Sequence, residues 1–432
     1  MKVSKIRGWY LVALASSLSL VLATLVHQAP YVARIVPLRS WHFSSHKSWK
    51  TEGKDELLQT VSYRGWDVRL AIINSYPAHD EVFNALIYTF GSIPGVRLEL
   101  FLETLRFGSQ DIIDDFQLNL DMANNSQPQM FMAGNATAPD IIVSSTCEVD
   151  SRTMHQQFDK LLERNQTYLF CVVHHADHWL LNDNIANSSL IKTWINSGKM
   201  AFVTLSNHTS QFLENQVIPT WALSSQIVPK LRVFPPIFPT WPKVQEETLS
   251  FALQGNYEPS RRDYNGIFEH LSMFLRDSDT NVTLRLVGSG VRPEVPAQLQ
   301  QHVVFDQALN YPEFYDTLAL CFAMLPGFAS DTYYDRKASS TIPASVIAGV
   351  PVVGPQRLLE TYTYLDRDDI WLQNEGETDI DVIGRVLKLD PEIREAKKQR
   401  VVAASRRLMQ ANKVSARQWI LDALGTLGHD AS

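Results

Sequence analysis

Hydrophobic and polar positions alternate in blocks along this chain, and the blocks predict a repeating strand–helix order. "DVRLAIINSYP" opens with a short apolar run over 68–73, as expected of a strand buried on both faces. "EVFNALIYTFGSI" follows with apolar residues at helical spacing and Gly91 to end the helix. Strands then read at "GVRLELFLE", "DIIVSST", "TYLFCVVHHADHW", "MAFVTLS" and "KLRVFPPIFP", with helical segments between them, among them "RTMHQQFDKLLERN" and "SLIKTWINSGK". "FPPIFPTWPKVQEE" packs four prolines into a short stretch and reads as a linker. A second series begins at "TLSFALQGN" and passes through "SRRDYNGIFEHLSMFLRD", "NVTLRLVGSG", "VVFDQALN", "YPEFYDTLALC" and "FAMLPGF". It reaches "KASSTIPASVIAGVPVVG", a short helix that Ser339, Ser340 or Thr341 can cap, ended by Gly349 and followed by a buried strand over 350–353. Such alternation predicts α/β architecture with parallel sheets covered on both faces. The expectation is two doubly wound domains facing a cleft, residues 66–240 and 246–405, with a helical tail over 406–432.

The N-terminus follows another pattern. Residues 9–26 carry no charge and are long enough to cross a bilayer at about 20 residues per span. Lys2, Lys5 and Arg7 precede them, which holds that end in the cytosol. The expectation is a cytosolic tail over 1–8, a signal anchor over 9–26 and a stem over 27–65. A cleavable signal peptide is the competing reading. Six N-x-S/T sequons, at Asn124, Asn135, Asn165, Asn187, Asn207 and Asn281, all follow the apolar span. They fit a glycosylated lumenal body of a single-pass type II membrane protein in the Golgi or endoplasmic reticulum.

Composition narrows the function. The chain has 432 residues, 45% of them hydrophobic, ample for two cores. A net charge of −7 and the lack of a long basic run argue against a nucleic-acid surface. Three cysteines, Cys147, Cys171 and Cys321, make no disulfide framework and no zinc spacing; three buried thiols is the preferred reading, with one pair allowed in an oxidising lumen.

Candidate chemistry lies in the loops after strands, because doubly wound sheets bind ligands beyond their strand C-termini. Gly255 and Asn256 end the first strand of the second series, and Arg261 and Arg262 start its helix. Gly288 closes the next strand. Lys337, Ser339, Ser340 and Thr341 gather at a helix N-terminus, where free N–H groups favour an anion. Ordinary capping and solvated arginines would explain each feature alone. Together they form a diphosphate cradle. In the first series, His174 and His175 of "VVHHADHW" follow a strand end and are candidate general bases, with His178 beside them. His208 is a second cleft candidate. A metal is not expected at the histidine cluster, since a tight loop is poorly shaped to aim all three rings at one ion.

These segments resemble a known superfamily. "LQGN…RR", "VTLRLVGSG" and "PASVIAGVPVVG" are similar to the donor-domain motifs of GT-B glycosyltransferases over residues 249–360, and the chain resembles membrane-anchored fungal members. The resemblance implies two Rossmann-like domains and a nucleotide-sugar as co-substrate, with no other cofactor and no metal. It implies sugar transfer to an acceptor hydroxyl on a glycan, lipid or small molecule. Retaining members carry two glutamates in the last motif; alignment on Gly349 and Pro351 puts Ala344 and Arg336 there. A non-catalytic glycan- or nucleotide-binding relative is the alternative, and a sugar-phosphate epimerase a third reading. Exostosin-like polymerases offer a looser parallel for Ser339-Ser340.

Overall fold

A computed structural model describes residues 67–118, 128, 131, 137–181, 188–221, 223, 227–242, 248–278 and 280–428. The expected tail, anchor and stem, and Asn124, Asn135 and Asn187, lie outside these residues. Among the described residues no helix is long and apolar enough to cross a membrane.

The apolar blocks fold as two parallel six-stranded sheets. The first contains β1 (Val68–Asn74), β2 (Val96–Leu102), β3 (Ile141–Ser144), β4 (Tyr168–Val173), β5 (Met200–Thr204) and β6 (Lys230–Val233), in the order β2-β1-β3-β4-β5-β6. β3, β4 and β5 are buried at every residue, which is why they read as unbroken apolar runs. β6 is the edge strand, and its Lys230 and Arg232 are half-buried. The second sheet contains β7 (Ser250–Asn256), β8 (Thr283–Ser289), β9 (Val303–Gln307), β10 (Ala323–Leu325), β11 (Val352–Gly354) and β12 (Ile370–Leu372). Its order is β12-β11-β10-β7-β8-β9. The order reverses at β1/β3 and at β7/β10, and a crevice opens beyond the strand ends at each such point.

Two sequence expectations are revised. The proline-rich connector is packed rather than free: Phe234, Ile237 and Phe238 are fully buried, and Phe238 meets Phe116 and Tyr315 edge-on. Its prolines suit an extended path that forgoes ladder hydrogen bonds. The C-terminal segments form one 37-residue helix, Pro391–Leu427, unbroken at residue 406. It starts on the second sheet's side and ends on the first. Trp419 packs on Phe170 and Phe234, and Asp422 pairs with Arg232 at 2.7 Å. A single apolar cluster therefore runs from Phe90 and Phe170 through Phe238 and Tyr315 to Ile347 and Ile420. Both sheets belong to one compact unit, Tyr63–Ser432.

Candidate active site

A cavity of about 530 Å³ lies between the sheets, beyond the C-terminal ends of β1, β4, β7 and β8. Gly255, Asn256, Arg261, Arg262, Gly288, Lys337, Ser339, Ser340, His174 and His175 all line it. Thr341 does not.

The second-domain wall is mostly backbone. Gly288 faces Gly255 across β7 and β8, and a Cβ at Gly288 would stand 1.8 Å from the Gly255 carbonyl oxygen. Gly255 has a φ of +133°, and a Cβ there would meet the Arg262 guanidinium at 2.9 Å. Both glycines are thus required for the close approach. The helix Thr341–Ala348 starts at the wall and ends at Gly349, in the left-handed conformation the sequence predicts. Ser339 Oγ accepts from the Thr341 N–H at 3.2 Å, while Ser340 is exposed and its side chain makes no capping bond.

The cations of this wall divide by role. Arg262 is only 4% exposed. It donates to the Gln254 carbonyl from Nε and Nη2, to the Arg261 carbonyl from Nη1, and to Thr341 Oγ1 at 2.9 Å. Its guanidinium also lies over Phe328 and Tyr333. Arg262 and Thr341 therefore clamp the β7 loop to the helix start, with donors and hydroxyl already engaged. Arg261 is half exposed and pairs with Glu258 at 2.6 Å. Burial draws the Lys337 ammonium below its ordinary range, Asp177 opposing and Arg261 and Arg336 assisting.

Titratable side chains from separate loops make up the first-domain wall. His79 stands at the N-terminus of the helix Asp80–Gly91, with a φ of 60°. Its ring stacks on His174 at 3.9 Å. Burial pushes its pKa well below the ordinary value, helped by His174, His175, Arg106 and Arg261. The His79 side chain is 35% exposed and lines the cavity. Burial raises the Glu81 carboxyl, and Tyr311 donates to its Oε2 at 3.3 Å. Asp80 is raised by burial against the pull of Arg106, 2.8 Å away. Phe107, at the cavity rim, is half exposed with a φ of 52°.

The helix Cys147–Thr153 fixes this wall from behind. Glu148 accepts from the backbone N–H groups of His174 and His175 at 2.6 and 2.9 Å. Asp150 is fully buried and accepts from the Ser75 N–H and the hydroxyls of Ser75 and Ser144. A disulfide joins Cys147 to Cys171 on β4, so the reading of three free thiols is corrected; Cys321 alone is free, and buried. Residues 147 and 171 sit on adjacent elements that the sequence separates, so spacing could not pair them.

The histidines of the first series part company. His174 is buried, and its Nε2 bonds to the Ser145 carbonyl at 2.7 Å. Burial lowers the His175 pKa to about 3, with Lys337 and His178 adding to it. His208 leaves the cleft for the seam: its ring nitrogens face the carbonyls of Thr361 and Lys337 at 3.3 and 3.0 Å. Sequence reasoning missed His79, Glu81, Glu148 and Asp150. The available signals were "AHDE" after the first strand and "CEVD" after the third, acids in the first turn of helices that follow strands. Ala344 is buried and Arg336 pairs with Asp177 at 3.6 Å, so neither supplies an acid to the cavity.

In sequence, the chain matches no family model and no curated protein. Similar solved structures include a glycosyltransferase from Rickettsia africae, 13% identical with a TM-score of 0.53, covering 83% of this chain and 99% of that chain. Another is an alpha-glucosyltransferase crystallised with UDP and a 13-mer DNA containing a central A:G mismatch, 12% identical with a TM-score of 0.51, covering 77% and 94%. The GtfA/B complex, 12% identical with a TM-score of 0.42, is matched over 66% of this chain, which spans 57% of that neighbour's length. The chain has the GT-B fold: two parallel α/β domains with a cleft between their strand ends.

Proposed function

We propose that the chain is a glycosyltransferase that moves a sugar from a nucleotide-sugar to an acceptor hydroxyl. One observation carries this reading. A wall of glycine backbone, Lys337 and a helix start lies across one cavity from an open imidazole, His79. The first wall suits a diphosphate, and the second suits proton removal.

In this reading His79 takes the proton of the acceptor hydroxyl. The acceptor oxygen then bonds to the anomeric carbon, while the bond from that carbon to the diphosphate oxygen breaks and the diphosphate leaves with the electron pair. Lys337, Arg261 and the Ser340 N–H at the helix start take up the charge, with no metal needed on the leaving group. Direct displacement inverts the anomeric centre and needs no carboxylate at 344 or 336. His174 holds the His79 ring from behind, so the base is assigned to His79 in preference to His174. Glu148 holds the loop of both His174 and His175.

The body is proposed to be lumenal, held by an anchor over 9–26 as a type II membrane protein. The Cys147–Cys171 disulfide suits an oxidising compartment, and Asn165 and Asn281 are exposed sequons. The test is a panel of nucleotide-sugars assayed for binding by thermal shift and for donor hydrolysis. At least one should raise the melting temperature and be turned over. Binding without turnover for any acceptor class would favour the non-catalytic alternative, and no binding at all would overturn both.

A further inference from the structure

The loop after β4 holds a second constellation. His175, Asp177 and His178 each offer one ligand atom, and these atoms lie within 4.8 Å of one another. Two of the three residues are short of partners: His175 Nδ1 and Asp177 Oδ1 are both buried without a hydrogen bond. Leaving such atoms unpaired is costly, and natural proteins rarely do so without a reason. The His178 N–H donates to the His175 carbonyl at 3.0 Å, and that turn stacks the two rings 4.5 Å apart, so the exposed His178 ring has to rotate for both nitrogens to face one ion. His174 takes no part, since its Nε2 is bonded to the Ser145 carbonyl and its ring stacks on His79.

We propose that His175, Asp177 and His178 bind one divalent cation of zinc type, and that the ion braces the seam between the domains. Two imidazoles and one carboxylate suit zinc and its late first-row neighbours; magnesium and calcium prefer all-oxygen shells. Three protein ligands leave a fourth position for water or an anion. The seam role follows from what the same residues already touch. His175 pairs with Lys337 as an isolated antiparallel bridge, and Arg336 reaches Asp177 Oδ2 at 3.6 Å. An ion here fixes the first-domain loop against the second-domain segment that carries Lys337. Arg336 and Lys337 are cations at the border and oppose the ion, so binding rests on direct ligand bonds rather than on local charge. This site does not depend on the transfer chemistry above.

The test uses the full chain without a polyhistidine tag, stripped with a chelator and titrated with Co²⁺ as a spectroscopic probe. One Co²⁺ per chain should bind, with visible absorption from nitrogen ligation, and Zn²⁺ but not Mg²⁺ should displace it. Zn²⁺ should also raise the melting temperature. His178 is exposed, so His178→Ala should leave the metal-free melting temperature unchanged while weakening Co²⁺ by about tenfold or more; Asp177→Asn should weaken it likewise. Absence of stoichiometric Co²⁺, equal binding by wild type and His178→Ala, or displacement by Mg²⁺ would each overturn the site. Donor binding measured on the same samples separates this result from the glycosyltransferase reading.

Discussion

The two walls of the cleft are built by opposite means. The second-domain wall is built from contiguous motifs: each piece is a strand end and its loop, or one loop and the helix it starts. The first-domain wall is assembled at a distance: His79 follows β1, His174 follows β4, and Glu148 and Asp150 come from the helix after β3. One wall presents glycine backbone and the cations Lys337 and Arg261, the other presents rings and carboxyls whose protonation burial has shifted. Backbone sites tolerate little change of shape, whereas side-chain sites tolerate shape but depend on chemistry.

Gly288→Ala should have the largest effect, because the added Cβ would lie on the Gly255 carbonyl. Forcing β7 and β8 apart costs typically about 1–3 kcal/mol, and more where backbone must move. Donor binding measured by calorimetry should be lost and the melting temperature should fall. Normal donor affinity in that variant would break the contrast between the walls.

His79→Ala comes next. Turnover should drop by about a hundredfold or more while the donor dissociation constant stays the same. An equal loss from His174→Ala alone, with His79→Ala active, would move the base back to His174.

A paired substitution sharpens the comparison within the second wall. Lys337→Ala should raise the donor dissociation constant roughly ten- to hundredfold, as expected for losing about 1.5–3 kcal/mol of charged contact. Its melting temperature should hardly change. Arg262→Ala should do the reverse at first order, lowering the melting temperature because four hydrogen bonds of a buried guanidinium disappear. Two variants with the same profile would mean that burial does not separate their roles.

The smallest effect is expected away from both walls. Hydrogen bonds from Arg385 hold the Glu377 carboxyl down at about 2. A depressed acid stabilises the fold above its unfolded pKa, near 4.5, and loses that contribution as pH falls towards 2. Glu377→Gln should therefore lower the urea midpoint only slightly at pH 7, within the roughly 0.2–1 kcal/mol of exposed pairs. The difference from wild type should vanish by about pH 2.

This contrast also marks what the sequence made legible. The strand–helix alternation gave both sheets up to β11, because parallel strands buried on two faces read as apolar runs. The three-residue β12, "IWL", was missed because it lies between the polar runs "DRDD" and "QNEGE", with no adjoining apolar block to mark it. Gly255, Gly288, Lys337 and the helix start were legible because each motif is contiguous. Arg262 was found but its task was not, since only the folded chain aims it at Gln254 and Thr341. The stacking of His79 on His174, the Cys147–Cys171 pairing and the support from Glu148 arise from strand order, which a linear pattern does not encode.

The long C-terminal helix sets an order of events. At about 1.5 Å per residue its 37 residues span about 55 Å. Trp419 and Ile420, in the second half of that helix, join the apolar cluster that begins at the first strand. A ribosome delivers them after the strands of both sheets. The β1–β6 sheet thus waits through the synthesis of the whole second domain with Phe170 and Phe234 uncovered. Nascent chains are therefore exposed to misassembly until this helix is made, and a stop codon a few residues before Trp419 would leave Phe170 and Phe234 of the first domain without their cover.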